Sequence, residues 1–381
     1  MKTVYFDNAA TTAVHTDVKQ AIFDAFDVYG NPSSSHEYGQ SAKWLLESSR
    51  NKIEENLKLP SKSFIFTGSG SEADNMAIHM AVQYGLLHNR NKIVTSTVEH
   101  HAVLKTIQSL NKDVEVQCID VDNNGKIDMN KLSRMIDYKT SLVTIMTSNN
   151  ETGVMFDIYT IAEIIHSKGG LLHTDAVQGI THMQIASSLV DMYSMSGHKI
   201  GAPKGIGGLY INPALLEEFK EHSLIKGGGQ EFNLRAGTEN VPYAVGLSKA
   251  IETLTQNRSS KNETIKNLNN YFVQQLKIKF PYCKINGDVS LKDKNPGIIN
   301  FSIGYADAAS VVTWMSLNNI CISSGSACNT GSSEPSHVLT AMGLSRQEAF
   351  SSIRISFSEN NTYEEIDYFM DVLKQFEKTY K

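Results

Sequence analysis

Short apolar, β-branched runs alternate along the chain with stretches of helical periodicity. Lys92-Ile-Val-Thr-Ser, Ser141-Leu-Val-Thr-Ile-Met-Thr147, Leu171-Leu-His-Thr174 and Met192-Tyr-Ser-Met195 are short and rich in strand formers, which predicts buried strands. Ile161, Ile164 and Ile165 fall on one face of a helix that stops at Gly169-Gly170. This alternation predicts an α/β fold with a mostly parallel sheet and helices on both sides. Such folds bind ligands outside the carboxyl ends of their strands. The polar stretch Thr255-Gln-Asn-Arg-Ser-Ser-Lys-Asn-Glu-Thr264 reads as the passage to a second domain. From Tyr363 onward, Ile366, Phe369, Met370 and Leu373 mark one side of a terminal helix. The expected domains are 16–254, and 1–15 joined with 255–381.

Composition narrows the class. At 381 residues, 41% hydrophobic and 20% charged, the chain has the make-up of a globular protein with a large core. A formal charge of -5 gives no electrostatic reason to expect direct contact with nucleic acid or an anionic membrane. No run approaches the ~18 apolar residues of a membrane span. Met1-Lys-Thr-Val-Tyr-Phe-Asp7 lacks a signal-peptide core. Four cysteines (118, 283, 321, 328) make no disulfide framework, and none form a Cys-x-x-Cys pair. The expectation is a cytoplasmic protein.

The residues just beyond each strand carry the chemistry. After Phe64-Ile-Phe66 comes Thr67-Gly-Ser-Gly-Ser71-Glu-Ala-Asp, then a helical stretch from Asn75. A Gly/Ser turn opening a helix offers N–H groups and hydroxyls to a phosphate, although an ordinary capped turn has the same composition. Other strands run into Glu99-His100-His101, Asn149-Asn150-Glu151, Asp175 with Gln178 a turn later, and Ser196-Gly-His-Lys199. A lysine, a carboxylate and a phosphate cradle on one rim meet the needs of pyridoxal phosphate. The lysine holds its aldehyde as a Schiff base, and the acid pairs with the ring nitrogen. His100 is placed to stack on the ring or move protons. Asp120-Val-Asp-Asn-Asn-Gly125 begins like a calcium loop, but its twelfth position is Lys131. His173-Thr-Asp175 lacks further ligands at metal spacing, so no metal is expected.

Cys328 sits in Ser323-Ser-Gly-Ser-Ala-Cys328-Asn-Thr-Gly-Ser-Ser333. So few apolar residues predict an exposed, mobile loop, the setting of a reactive thiol; a plain surface turn is the alternative.

The chain resembles the NifS/IscS-type cysteine desulfurases of the class V aminotransferase family. Tyr5-Phe-Asp-Asn-Ala-Ala-Thr-Thr12, Gly30-Asn-Pro-Ser-Ser-Ser-His36, Thr97-Val-Glu-His-His-Ala-Val103, Asn149-Asn-Glu-Thr-Gly153, Asp175-Ala-Val-Gln178, Ser196-Gly-His-Lys199, Arg235-Ala-Gly-Thr238 and Ser351-Ser-Ile-Arg354 carry the likeness, with Ser323–Cys328 the most diagnostic. The resemblance implies the fold type I of pyridoxal-phosphate-dependent transferases: a seven-stranded, mostly parallel sheet in a large domain, with a smaller α+β domain. It implies that Lys199 binds the cofactor and shuttles the substrate proton, that Asp175 meets the ring nitrogen and Gln178 the ring hydroxyl, and that His100 stacks. Gly70, Ser71, Ser196 and His198 would bind the phosphate, with Thr238 reaching over from the second subunit of a homodimer. Asn150, also at the cofactor, and Arg354 would hold the substrate carboxylate. Cys328 would take sulfur from L-cysteine as a persulfide, helped by His100, leaving L-alanine.

Ser71 stands where many relatives have Thr, which keeps the hydroxyl. The chain ends at Lys381, soon after its last helix, which questions docking to the usual iron–sulfur scaffold and leaves room for a dedicated acceptor such as a tRNA-thiolating enzyme. A selenocysteine lyase or cysteine β-lyase shares the cofactor site. A conventional aminotransferase would not need Cys328. A cofactor-binding protein without catalysis would not need Lys199, Asp175 and Cys328 together.

Overall fold

The computed structural model describes residues 3–287, 290, 292–324 and 334–380. A short first strand, β1 (Val4–Tyr5), precedes seven strands of one sheet: β2 (Phe64–Thr67), β3 (Lys92–Ser96), β4 (Glu115–Ile119), β5 (Thr140–Thr144), β6 (Leu171–Asp175), β7 (Met192–Ser196) and β8 (Gly207–Ile211). Their order is β2-β8-β7-β6-β5-β3-β4, parallel from β7 to β4, with β8 antiparallel to both neighbours. The four strands predicted from the pattern all belong to this sheet. The run from Ser141 leaves regular strand at Thr144, although the Ile145 and Thr147 N–H groups still donate to His173 O and Asp175 O of β6.

Neighbouring residues of each strand point to opposite faces. Phe64, Val94, Val143, Leu172, Tyr193 and Tyr210 join one buried cluster. Ile65, Ile93, Leu142, Leu171, Met192 and Leu209 join the other, with the helices Gly70–Leu87 and His101–Gln108 packed over them. Both faces are therefore covered, as parallel strands require.

A third cluster lies around β9 (Lys284–Asn286), β10 (Ile298–Ser302), β11 (Ile320–Cys321), β12 (Ser323–Ser324) and β13 (Ser352–Ser356). β12, β13, β10 and β9 form an antiparallel sheet, and β1 pairs with β11. The terminal helix Tyr363–Tyr380 buries Ile366, Phe369, Met370 and Leu373 against it, as its periodicity predicted.

The polar stretch 255–264 runs from one buried cluster to another, but inside a helix. It is the middle of one 39-residue helix, Val241–Lys279. Leu254 belongs to the first cluster and Ile265 to the third, and the residues between are mostly solvated. A helix bridging two cores carries no apolar stripe over the bridge, so its periodicity disappears there. Residues 338–349, expected with the second domain, pack through Val338, Leu339, Met342 and Ala349 into the first cluster.

Candidate active site

The helix after β2 starts at Gly70, five residues before the expected Asn75. Gly and Ser are poor helix formers, but Ser69 caps the helix, its Oγ accepting the Glu72 N–H at 3.1 Å. Gly70 and Ser71 are thus the first two helical positions, whose N–H groups lack intrahelical partners. A Cβ on Gly70 would lie 2.9 Å from Val177 Cγ2 and 3.2 Å from Ser196 Cβ. Only glycine lets the helix start come this close to the ends of β6 and β7. Arg235 Nε donates to Glu72 Oε1 at 2.8 Å, tying the 235–238 stretch to the same helix. Thr238 is exposed on this chain.

Asp175 ends β6 and Ser196 ends β7, with Gly197–Lys199 in the adjoining 3-10 turn. His100 caps the helix after β3, its Nδ1 accepting the Ala102 N–H at 3.1 Å. A carboxyl oxygen of Asp74, one of Asp175 and a ring nitrogen of His100 lie within 4.8 Å of one another. Asp175 Oδ1 accepts the Val177 N–H at 2.9 Å.

The N-terminal segment closes one side. Lys199 Nζ donates to Ala9 O at 2.7 Å and Ala10 O at 2.8 Å, and Gln178 Nε2 donates to the same Ala9 O at 2.9 Å. His198 Nδ1 lies 3.1 Å from Thr11 Oγ1. A cavity of about 730 Å³ borders Ala9, Thr11, Gln178 and Lys199.

Two residues before Ala9, Asp7 Oδ1 accepts from Arg354 Nη2 at 2.9 Å. Arg354 Nη1 donates to Asn150 O at 2.9 Å, while its buried Nε has no partner among the described residues. Asn149 folds this turn, its Oδ1 accepting the N–H groups of Glu151 and Thr152 at 2.9 Å each. Arg354 on β13 faces Ser323 on β12. The Ser336 hydroxyl donates to buried Glu151. Between these two anchors, residues 325–333, Cys328 among them, lie outside the described residues.

Burial dominates the electrostatics. It raises Asp175, against the opposing charges of His100 and Lys199, and raises Asp74 strongly beside Asp175 and Glu99. Burial pushes Glu99 up to about 8 and Glu151 up to about 7. It lowers His198 to about 4, helped by Lys199 and Lys204.

The structure brings Gln178 and Lys199 together on Ala9, His198 onto Thr11, Asp175 beside His100, and Ser196 beside the Gly70 helix start, with the Asn150–Arg354 pair linked through Asp7. An amine, a buried acid and a helix N-terminus are the donor set that pyridoxal phosphate needs. Sequence reading gave no role to Asp7, Ala9, Ala10 or Asp74. Backbone acceptors leave no side-chain signal, and acids within helices are ordinarily solvated.

A family model, Aminotransferase class-V, matches residues 4–369. The chain is 37% identical over 381 residues to "Cysteine desulfurase IscS" of Clostridium botulinum, covering 99% of this chain and 95% of that one. A solved "NifS-like protein" superposes with a TM-score of 0.90 at 31% identity, covering 99% and 100% of the two chains. A structure described as SspA in complex with cysteine superposes with a TM-score of 0.79 at 32% identity, covering 94% and 100%.

Proposed function

This chain belongs to the class V aminotransferase family, and on that basis we propose that it is a pyridoxal-phosphate-dependent cysteine desulfurase that stores sulfur on Cys328. Relatives named cysteine desulfurase and a structural neighbour described with cysteine support L-cysteine as the substrate. The observation that carries the reading is Arg354 facing Ser323, which roots the segment bearing Cys328 beside a buried guanidinium suited to an α-carboxylate. Cys328 lies four residues beyond Ser324, a reach of up to ~14 Å.

Pyridoxal 5′-phosphate, when bound, withdraws electrons from the substrate Cα and makes its proton acidic. Lys199 would anchor it and then take that proton on Nζ, while Asp175 would pair with its ring nitrogen and Gln178 with its ring hydroxyl. His100 would stack on the ring. The Gly70 and Ser71 N–H groups, with Ser196 and His198, would hold its phosphate. Without the cofactor, burial, Lys199 and Lys204 lower His198 to about 4, which favours the neutral imidazole. Thr238, exposed on its own chain, completes the phosphate site of the partner in a homodimer. Asn150 and Arg354 orient the substrate by its carboxylate.

The Cys328 thiolate attacks the substrate sulfur, its proton leaving by way of His100. The S–S bond forms, the Cβ–S bond breaks, and its electron pair stays with the carbon skeleton. Protonation at carbon releases L-alanine, and the persulfide passes to an acceptor protein in iron–sulfur cluster assembly or tRNA thiolation. No helix among the described residues is long and apolar enough to cross a membrane, which fits a soluble acceptor in the cytoplasm. The test is stoichiometry: L-cysteine with excess thiol reductant should give alanine and sulfide in equal amounts, and Lys199→Ala should give neither. Pyruvate and ammonia instead would indicate a β-lyase.

A further inference from the structure

Asp74 has no part in the desulfuration chemistry, yet it is 1% exposed and its carboxyl shares a 4.8 Å cluster with Asp175 and His100. Two carboxyls this close in a buried setting do not both ionise, and their neighbours decide which keeps the charge. Asp175 accepts the Val177 N–H and faces the charges of His100 and Lys199. Burial and the neighbouring Asp175 oppose the ionisation of Asp74, with the Ser194 hydroxyl favouring it.

No cation compensates Asp74 from the sheet beneath. His173, 3.7 Å from Asp74 Oδ1, is held between Thr144 Oγ1 at 2.8 Å and Ser194 Oγ at 2.9 Å. Burial drives its imidazole down to about 3, so it stays neutral. Asp74 Oδ1 itself has no hydrogen-bond partner among the described residues. A buried anion with an orphaned oxygen is costly, and the neutral acid is the favoured form.

We propose that Asp74 is a positioning residue for the cofactor: its buried carboxyl keeps a proton and, packed beside Asp175, holds that carboxylate as the one negative charge facing the ring nitrogen. This rests on the reading of Asp175 as the ring nitrogen's partner. A neutral side chain of the same shape should therefore replace Asp74, while a truncated one should free Asp175 to turn or admit water.

The experiment titrates apoprotein with pyridoxal phosphate and follows the bound cofactor's absorption against pH, for wild type, Asp74→Asn, Asp74→Ala and Asp175→Asn. Asp74→Asn is expected to bind within about threefold of wild type with an unchanged absorption midpoint. Asp74→Ala should bind about tenfold more weakly, a loss of about 1.4 kcal/mol, and shift the midpoint by about one pH unit. If circular dichroism shows that Asp74→Ala does not fold, Asp74→Ser replaces it with the same expectation. Asp74→Asn as weak as Asp74→Ala, or Asp74→Ala equal to wild type, overturns the inference while leaving Asp175 in place if Asp175→Asn changes the spectrum. An Asp175→Asn spectrum like wild type removes the Asp175 assignment and this inference with it.

Discussion

Arg354 and Ser323 face each other across the antiparallel pairing of β13 with β12. One is a buried guanidinium held by Asp7 and Asn150; the other begins the small-residue run that contains Cys328. The fold thus joins the group proposed to hold the substrate to the root of the segment proposed to take its sulfur.

Arg354→Lys keeps the charge and loses the planar fork. Charge-assisted hydrogen bonds are worth about 1.5–3 kcal/mol, so KM for L-cysteine should rise roughly 10- to 100-fold. Steady-state alanine formation measures it; an unchanged KM would remove Arg354 from substrate binding.

Gly70→Ala places a methyl 2.9 Å from Val177 Cγ2 and 3.2 Å from Ser196 Cβ. The helix start must move off β7, and the phosphate N–H groups move with it. Affinity of the apoprotein for pyridoxal phosphate should fall about tenfold or more, an overpacking cost of about 1–3 kcal/mol. Wild-type affinity in a titration would mean that this helix start does not hold the phosphate.

Much of this layout is legible in the sequence because a parallel sheet puts its chemistry where apolar runs end. Asp175 and Ser196 come directly after such runs, and His100 four residues after one. The start of the Gly70 helix was hidden because one hydroxyl, that of Ser69, outweighs low propensity. The bridging helix at 255–264 was hidden because solvation there leaves no periodicity to detect. Asp74 gives no sign of itself either: its burial comes from β6 and β7, which begin 97 and 118 residues further along the chain.

Glu99 links pH to stability. Its usual value near 4.5 rises to about 8 in the fold. Between these values the unfolded chain has released the proton that the native state keeps, so the unfolded state binds fewer protons. Stability from this group therefore falls as pH rises from about 4.5 to about 8. Glu99→Gln removes the effect, so the variant should gain stability relative to wild type across that window in urea unfolding. A difference independent of pH would contradict a protonated Glu99.

Ser336→Ala removes the hydroxyl that donates to buried Glu151 and accepts from the Leu339 N–H. An orphaned buried acceptor and a lost helix cap should together cost about 2–3 kcal/mol. Chemical denaturation measures this, and a change below about 0.5 kcal/mol would show that neither bond matters.

The central claim is that Cys328 accepts the substrate's sulfur. The most direct measurement is alanine formation from L-cysteine with dithiothreitol by wild type and Cys328→Ser, with the cofactor's absorption recorded for both. Alanine from wild type and none from a variant that keeps its cofactor is the predicted result. Equal alanine from both would contradict the persulfide route and move the enzyme toward the selenocysteine-lyase reading.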